Sequence, residues 1–133
     1  MSGTILIVDA VATNRIVLKV KLASAHFGVT QAVTGRDAVQ AALRDRPDMI
    51  IANAALPDLS SRDMIAALRA HPDLTNIPVV LLLNVNTQEL RLSALQAGAD
   101  DVITQPLDER ILLARIRSLL RQHHAMDDLR HNA

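Results

Sequence analysis

The sequence predicts an α/β fold: a doubly wound sheet of five parallel strands in the order 2-1-3-4-5. Three observations carry that prediction. Short aliphatic runs alternate regularly with longer amphipathic stretches along the chain. The runs are continuously apolar, the mark of strands covered on both faces. The helical stretches between them are long enough to be crossovers, and right-handed crossovers between parallel strands leave few topologies.

Each element can be justified in turn. Ile5-Leu6-Ile7-Val8 is a buried strand ending at Asp9. From Thr13 to Ala25 the spacing turns helical, with Ile16, Val20 and Ala23/Ala25 as the apolar stripe and Arg15, Lys19 and Lys21 off it; Phe27-Gly28 stops the helix. Val29 to Val33 is a short second strand, Thr34-Gly35 the turn after it, and Arg36 to Arg44 a helix broken by Pro47-Asp48. Met49-Ile50-Ile51-Ala52 is the third strand, ending at Asn53. After the loop Leu56-Pro57-Asp58, Ser60 or Ser61 caps a helix through Met64, Ile65 and Leu68. Ile77-Pro78 leads into the fourth strand, Val79 to Leu83. Asn86 or Thr87 caps a helix through Leu90, Leu92 and Leu95, closed at Gly98. Val102-Ile103-Thr104 is the fifth strand, Gln105-Pro106-Leu107 follows it, and Asp108 caps a last helix carrying Ile111, Leu112, Ile116, Leu119 and Leu120. The pattern predicts one domain over residues 1–122, with 123–133 a helical extension or the start of a linker.

Composition narrows the function. The chain has 133 residues, half of them hydrophobic, 21% charged, with mean hydropathy +0.19, which argues for a packed core and against disorder. Fourteen basic residues balance fourteen acidic ones, so no electrostatic footprint for nucleic acid or an anionic membrane is expected. One Phe and no Trp or Tyr leave nothing on which single-stranded bases would stack. Absence of cysteine removes disulfides, thiolate zinc sites and cysteine nucleophiles. The longest aliphatic run, Val79 to Leu83, is far short of the ~20 residues of a membrane span. Met1-Ser2-Gly3-Thr4 carries no basic region of the kind that opens a signal peptide, so a cytoplasmic location is expected.

Ligands of open α/β sheets bind beyond the carboxyl ends of the strands, where strand order reverses. Here that point lies between strands 1 and 3, at Asp9-Ala10 and Asn53, flanked by Leu83-Asn84 and Gln105. It offers one carboxylate, neutral amides and a leucine, with no histidine, lysine, serine nucleophile or second acid. The glycines form no G-x-G-x-x-G, so a dinucleotide site has no support. His26, His71, His123, His124 and His131 are scattered, and adjacent helical positions diverge by about 100°, so they read as solvated polar residues rather than metal ligands.

The runs Ile5-Leu6-Ile7-Val8-Asp9, Pro47-Asp48-Met49-Ile50-Ile51-Ala52-Asn53, Leu56-Pro57-Asp58, Ile77-Pro78-Val79-Val80-Leu81-Leu82, Ala97-Gly98-Ala99-Asp100-Asp101 and Gln105-Pro106 together resemble the bacterial response-regulator receiver domain, over residues 4 to about 121. More narrowly, Thr13-Asn14-Arg15, Pro72-Asp73-Leu74-Thr75-Asn76-Ile77-Pro78 and Leu113-Ala114-Arg115-Ile116-Arg117-Ser118-Leu119-Leu120 resemble the N-terminal receivers of PleD-type regulators, where receivers precede a diguanylate cyclase domain. The resemblance implies a flavodoxin-like fold and a phosphoryl-accepting site, and the site residues depart from it one by one. The phosphoacceptor aspartate position is Asn53, and of the two magnesium-binding acids Asp9 remains while Ala10 replaces the other. The strand-4 Thr/Ser position is Leu83, the strand-5 Lys position is Gln105, and the switch aromatic is Val102; Ser61 stands where a glycine is usual.

An amide is a poor nucleophile for phosphorus, and a single carboxylate holds magnesium weakly at most. The expectation is therefore a non-phosphorylatable pseudo-receiver with no cofactor, a docking and dimerisation module that is not itself an enzyme. Its partner is another receiver or a second copy of the chain. In receivers the partner surface is the face of the fourth helix, fifth strand and fifth helix, here Thr87 to Gln122, with Leu90, Leu95, Ile111 and Leu119 surrounded by Glu89, Arg91, Asp100, Asp101, Arg115 and Arg117. Two readings stay open beside it: phosphorylation of a surrogate acid such as Asp58, and a stand-alone adaptor for a kinase or another receiver. Arg110, Arg115, Arg117 and Arg121 read as a solvated face or as ion-pair partners of Asp100, Asp101 and Asp108 rather than as a phosphate patch.

Overall fold

The computed structural model describes residues 3–132. In chain order the elements are β1 (Thr4–Val8), α1 (Ala12–Ser24), β2 (Gly28–Ala32), α2 (Gly35–Asp45), β3 (Met49–Asn53), α3 (Ser61–Arg69), a 3₁₀ turn at Pro72–Leu74, β4 (Val79–Leu83), α4 (Gln88–Gln96), β5 (Asp101–Thr104) and α5 (Glu109–Asn132). The strands form one sheet in the order β2-β1-β3-β4-β5, parallel at every pairing, as the alternation of runs predicts.

Strand side chains alternate between faces, and both faces are covered. Leu6, Val8, Ile50, Ala52, Val79, Leu81, Leu83 and Val102 pack under α2, α3 and α4 through Ala38, Ala41, Met64, Leu68 and Ala94. Ile5, Ile7, Met49, Ile51, Val80, Leu82 and Ile103 pack under α1 and α5 through Leu18, Leu22, Leu112, Ile116 and Leu120. Every residue of β3 and β4 is buried, which is why these two strands read as unbroken aliphatic runs.

The helix starts follow capping chemistry. Thr34 accepts from the Asp37 amide at 3.1 Å, Ser60 from Asp63 at 3.1 Å and Thr87 from Leu90 at 3.2 Å, which settles both paired cap alternatives. Asp108 accepts from the Arg110 amide at 2.9 Å. Gly98 sits at φ +106°, a conformation that favours glycine, and a Cβ there would lie a tight 3.1 Å from Ile65 Cγ2. The start of α2 has a second acceptor from a distant loop: Asp58 Oδ1 takes the Gly35 amide at 2.8 Å and Oδ2 the Arg36 amide at 3.0 Å. Desolvation of Asp58 works against its ionisation, but the amides of Arg36, Gly35, Asp58 itself and Leu59 outweigh it and hold the carboxyl below the usual carboxylate range.

Several expectations need correction. The buried stripe of α1 is Leu18 and Leu22, while Ile16 and Val20 face outward. Both faces of this helix carry branched aliphatics, so spacing alone does not say which is inward. In α4 only Ala94 is buried, and Leu90, Leu92 and Leu95 point outward. Ile111 is likewise exposed, whereas Leu119 packs partly against the core. β2 begins at Gly28 rather than Val29, β5 begins at Asp101, and the 3₁₀ turn carries no signal in the apolar pattern. Residues 123–132 continue α5 without a break. His123 and His124 are half-buried, and His123 lines a pocket of about 250 Å³ with Asp48, Asp73 and Asn76 below the sheet. The side chain of His131 lies outside the described part.

Two outcomes are expected. Leu22→Ala should lose about 2–5 kcal/mol in urea unfolding, as a cavity under β1, whereas Val20→Ala should change stability by no more than about 0.5 kcal/mol. A large loss at Val20 would return the stripe to the core. For Asp58, a carboxyl depressed on folding stabilises above its unfolded value and loses that contribution as pH falls through the folded one. Urea midpoints of the parent and Asp58→Asn should therefore converge as pH is lowered from about 5 to about 3.

Candidate functional site

Asp9 and Asn53 are the buried polar residues of the described chain, 4% and 6% exposed, and they sit side by side at the carboxyl ends of β1 and β3. The sheet brings them together because β1 and β3 pair in register, Val8 with Ala52. Asn53 Nδ2 donates to Asp9 Oδ2 at 3.1 Å, and Asn53 Oδ1 accepts from the Ala55 amide at 2.9 Å. This orientation is the one that satisfies both ends of the carboxamide, since the carboxylate only accepts and the amide only donates.

The remaining contacts complete the carboxylate. Asp9 Oδ1 accepts from the Val11 amide at 2.8 Å, and Oδ2 accepts also from Asn14 Nδ2 at 3.2 Å. Arg15 Nη1 donates to the Asp9 carbonyl at 2.7 Å and its Nε to Gln31 Oε1 at 3.3 Å. Asp9 thus serves the first turn of α1, whose cap residue Val11 has no side-chain acceptor of its own. Sequence reasoning placed Asp9 and Asn53 in the site but did not give Asn14 and Arg15 a role there. The available signal was their spacing, five and six residues past a strand-end acid, where the first helical turn returns over the strand end.

The other positions supply no polar chemistry at the centre. Ala10 is exposed and bears only a methyl group. Leu83 is buried among the core residues under α2, α3 and α4, and Val102 packs on the same side. Gln105 is half-buried; its backbone N–H donates to the Leu83 carbonyl at 2.8 Å. With Asp9, Asn14, Val17, Leu82 and Leu107 it lines a small cavity of about 90 Å³. On the other side of Leu83 a wider groove of about 330 Å³ runs between α3 and α4, lined by Ala54, Ser60, Ser61, Leu90 and Ala94 among others.

Magnesium takes near-octahedral oxygen ligands, usually with one or two carboxylates. Both Asp9 oxygens here are occupied by N–H donors, and Asn53 turns its NH₂ rather than an oxygen toward them. A donor faces the place where a cation would need acceptors, so these residues do not fit the ion. Among the described residues no group of three His, Cys, Asp or Glu stands within metal-binding reach. Asp58, the surrogate acid, has both oxygens on backbone amides of α2.

The charged positions expected at a partner surface divide in two. Asp100 Oδ2 accepts from the Val79 amide at 2.8 Å and from Arg69 at 3.2 Å, which fixes the loop before β5. Arg115 and Asp101 pair with each other at 2.7 Å within the chain. Glu89, Arg91 and Arg117 are exposed.

The comparisons agree with this geometry. The response regulator receiver domain family matches residues 5–117. The response regulator PleD of Caulobacter vibrioides is 35% identical over 130 residues, covering 98% of this chain and 29% of that protein. A probable transcriptional regulatory protein, TcrX of Mycobacterium tuberculosis, is 34% identical over 119 residues, 90% of this chain and 50% of its own length. The chain therefore spans about a third to a half of these curated relatives. Among solved structures, the signal receiver domain of a histidine kinase from Syntrophus aciditrophicus superposes with TM-score 0.82 at 32% identity, covering 91% of this chain and 92% of that one. The receiver domain of the sensor histidine kinase PA1611 from Pseudomonas aeruginosa, in which magnesium is coordinated in the active-site cleft, gives 0.83 at 28% identity, covering 90% and 98%. With its strand order, its strand-end site and these matches, the chain belongs to the response regulator receiver domain family.

Proposed function

We propose that this receiver domain takes up no phosphoryl group and acts as a docking and dimerisation module in two-component signalling, as the N-terminal part of a PleD-like regulator. The observation that carries the reading is the Asn53 carboxamide, which donates to Asp9 where phosphoryl transfer needs an anionic oxygen facing a metal. Leu83 brings no hydroxyl to phosphate oxygens, and Gln105 brings no charge to offset theirs. The surrogate-acid reading loses ground because Asp58 is consumed in capping α2. The link to a diguanylate cyclase is supported by the likeness to PleD, of which this chain matches 29%.

Docking by the α4–β5–α5 face, to a second copy or another receiver in the cytoplasm, is supported by Leu90, Leu92, Leu95 and Ile111, each about half exposed. Glu89, Arg91 and Arg117 supply the polar rim. Because Asp101 and Arg115 already pair with each other, exchanging their charges would rebuild an internal contact and would not report on an interface.

Acetyl phosphate should leave the intact mass unchanged, and magnesium should bind no tighter than about 1 mM, on the order of 4 kcal/mol. Stoichiometric phosphorylation would overturn the reading. Asn53→Asp should not restore phosphorylation. It should also destabilise the fold at neutral pH by about 1–3 kcal/mol, since a donor becomes a second carboxylate beside Asp9. Sedimentation should show self-association, or association with a second receiver, that Leu92→Glu with Leu95→Glu removes. Unchanged association in that variant would move the interface off α4.

A further inference from the structure

The groove of about 330 Å³ between α3 and α4 involves neither Asp9 nor Asn53. Leu83 and Ala94, both buried, form its floor, with Ala54 half-buried beside them. At about 100° per residue, Leu90, Ser93, Ala94 and the cap residue Ala97 share one side of α4, and Leu92 and Leu95 lie about 150° away from it. Leu90 lines the groove and is still 46% exposed, so a large aliphatic side chain there has no cover. The facing wall is the start of α3, where Ser60 Oγ is spent on capping and Ser61 Oγ donates to the Ala54 carbonyl at 3.0 Å. Arg62 is the one charged residue of the lining. It is exposed, and among the described residues it has no ion-pair partner. The acids nearest to it in sequence, Asp58 and Asp63, lie off the lining, and Asp58 is bonded to the α2 amides.

Small-molecule sites are concave and mostly apolar, with a few placed polar groups, and run from about 300 to 1,000 Å³. This groove stands at the small end of that range and joins an aliphatic floor and wall to one unpaired guanidinium. Its complement is a compact molecule with an apolar body and a single carboxylate, the group that a guanidinium binds through two parallel hydrogen bonds. We infer that the α3–α4 groove binds a small monocarboxylate, its hydrocarbon body against Leu83, Leu90 and Ala94 and its carboxylate on Arg62. Ser93 and Gln96, also on the lining, add neutral hydrogen-bonding groups beside that cation. Helix α4 otherwise reaches the core through Ala94 alone, so an occupant touching both helices adds the contact that α4 lacks.

The probe is octanoate, followed by two-dimensional amide NMR of the full chain, with octylammonium and acetate as counterparts. The chain's formal charge is zero, so the molecule as a whole favours neither ion. Octanoate should shift the amides of Ala54, Ser61, Leu90, Ser93 and Ala97 saturably, with an affinity at least about tenfold above that of octylammonium at low salt. Acetate has the charge without the body and should leave them in place. Bound octanoate should slow hydrogen exchange of the α4 amides. Arg62→Glu should invert the preference between the two eight-carbon ions. Leu90→Glu should weaken octanoate at least about tenfold with an unchanged circular dichroism spectrum, both substituted positions being exposed. Leu92→Glu with Leu95→Glu should leave binding intact. The inference is overturned if octanoate gives no saturable shift, if octylammonium binds as well, if Arg62→Glu keeps the original preference, or if the shifts centre on α1 or on Leu92 and Leu95. Phosphorylation of the chain would defeat the functional reading above and leave this result untouched.

Discussion

A parallel sheet covered on both faces confines polar chemistry to the ends of its strands. Inside such a sheet every main-chain group is already bonded to a neighbouring strand, and every side chain meets a helix. Among the described residues that constraint leaves Asp9 and Asn53 as the buried polar residues, at the ends of β1 and β3. The rest of the site follows from keeping one buried carboxylate hydrogen-bonded. Three N–H groups from Val11, Asn14 and Asn53 do so, and two of those belong to the segment that begins α1. Charge-assisted bonds of this kind are individually worth more than neutral ones, and together they stitch β1, β3 and α1 at one point. The carboxylate is thereby a joint between β1, β3 and the first helix.

Much of the fold was legible because burial on both faces writes itself into composition. β1, β3 and β4 stand out as continuous aliphatic runs, and the ends of β1, β3, β4 and β5 placed Asp9, Asn53, Leu83 and Gln105. Serine and threonine before the helices named the caps, since those hydroxyls are the acceptors that helix starts lack. The illegible parts are those where two answers share one pattern. Helix α1 has apolar residues on both sides, so periodicity identified the helix and missed its inward face. The partners of Asp9 at Asn14 and Arg15, and the capping of α2 by Asp58 across 23 positions, are contacts made by tertiary folding, which local spacing does not encode.

Surface charge teaches the same lesson. Asp100, Asp101 and Arg115 were expected at a partner surface from sequence; in the structure Asp100 pairs with Arg69 and Asp101 with Arg115, as internal struts at the start of β5. Partly exposed pairs of this sort add little net stability, but they fix geometry, and they withdraw charges from the set available to a partner. Complementarity must therefore be judged on what remains unpaired, which is a shorter list than the formal composition suggests.

Helix α4 touches the core through Ala94 alone among its buried residues, whereas α3 and α5 each send several large side chains inward. The free energy needed to lift a segment off a fold scales with the apolar surface it takes along, so segments differ in how often they open. With Ala94 as its one buried residue, α4 has the shallowest anchorage of the five helices. An anchor that small makes α4 the helix whose detachment would uncover the least core surface, with the sheet beneath it left intact.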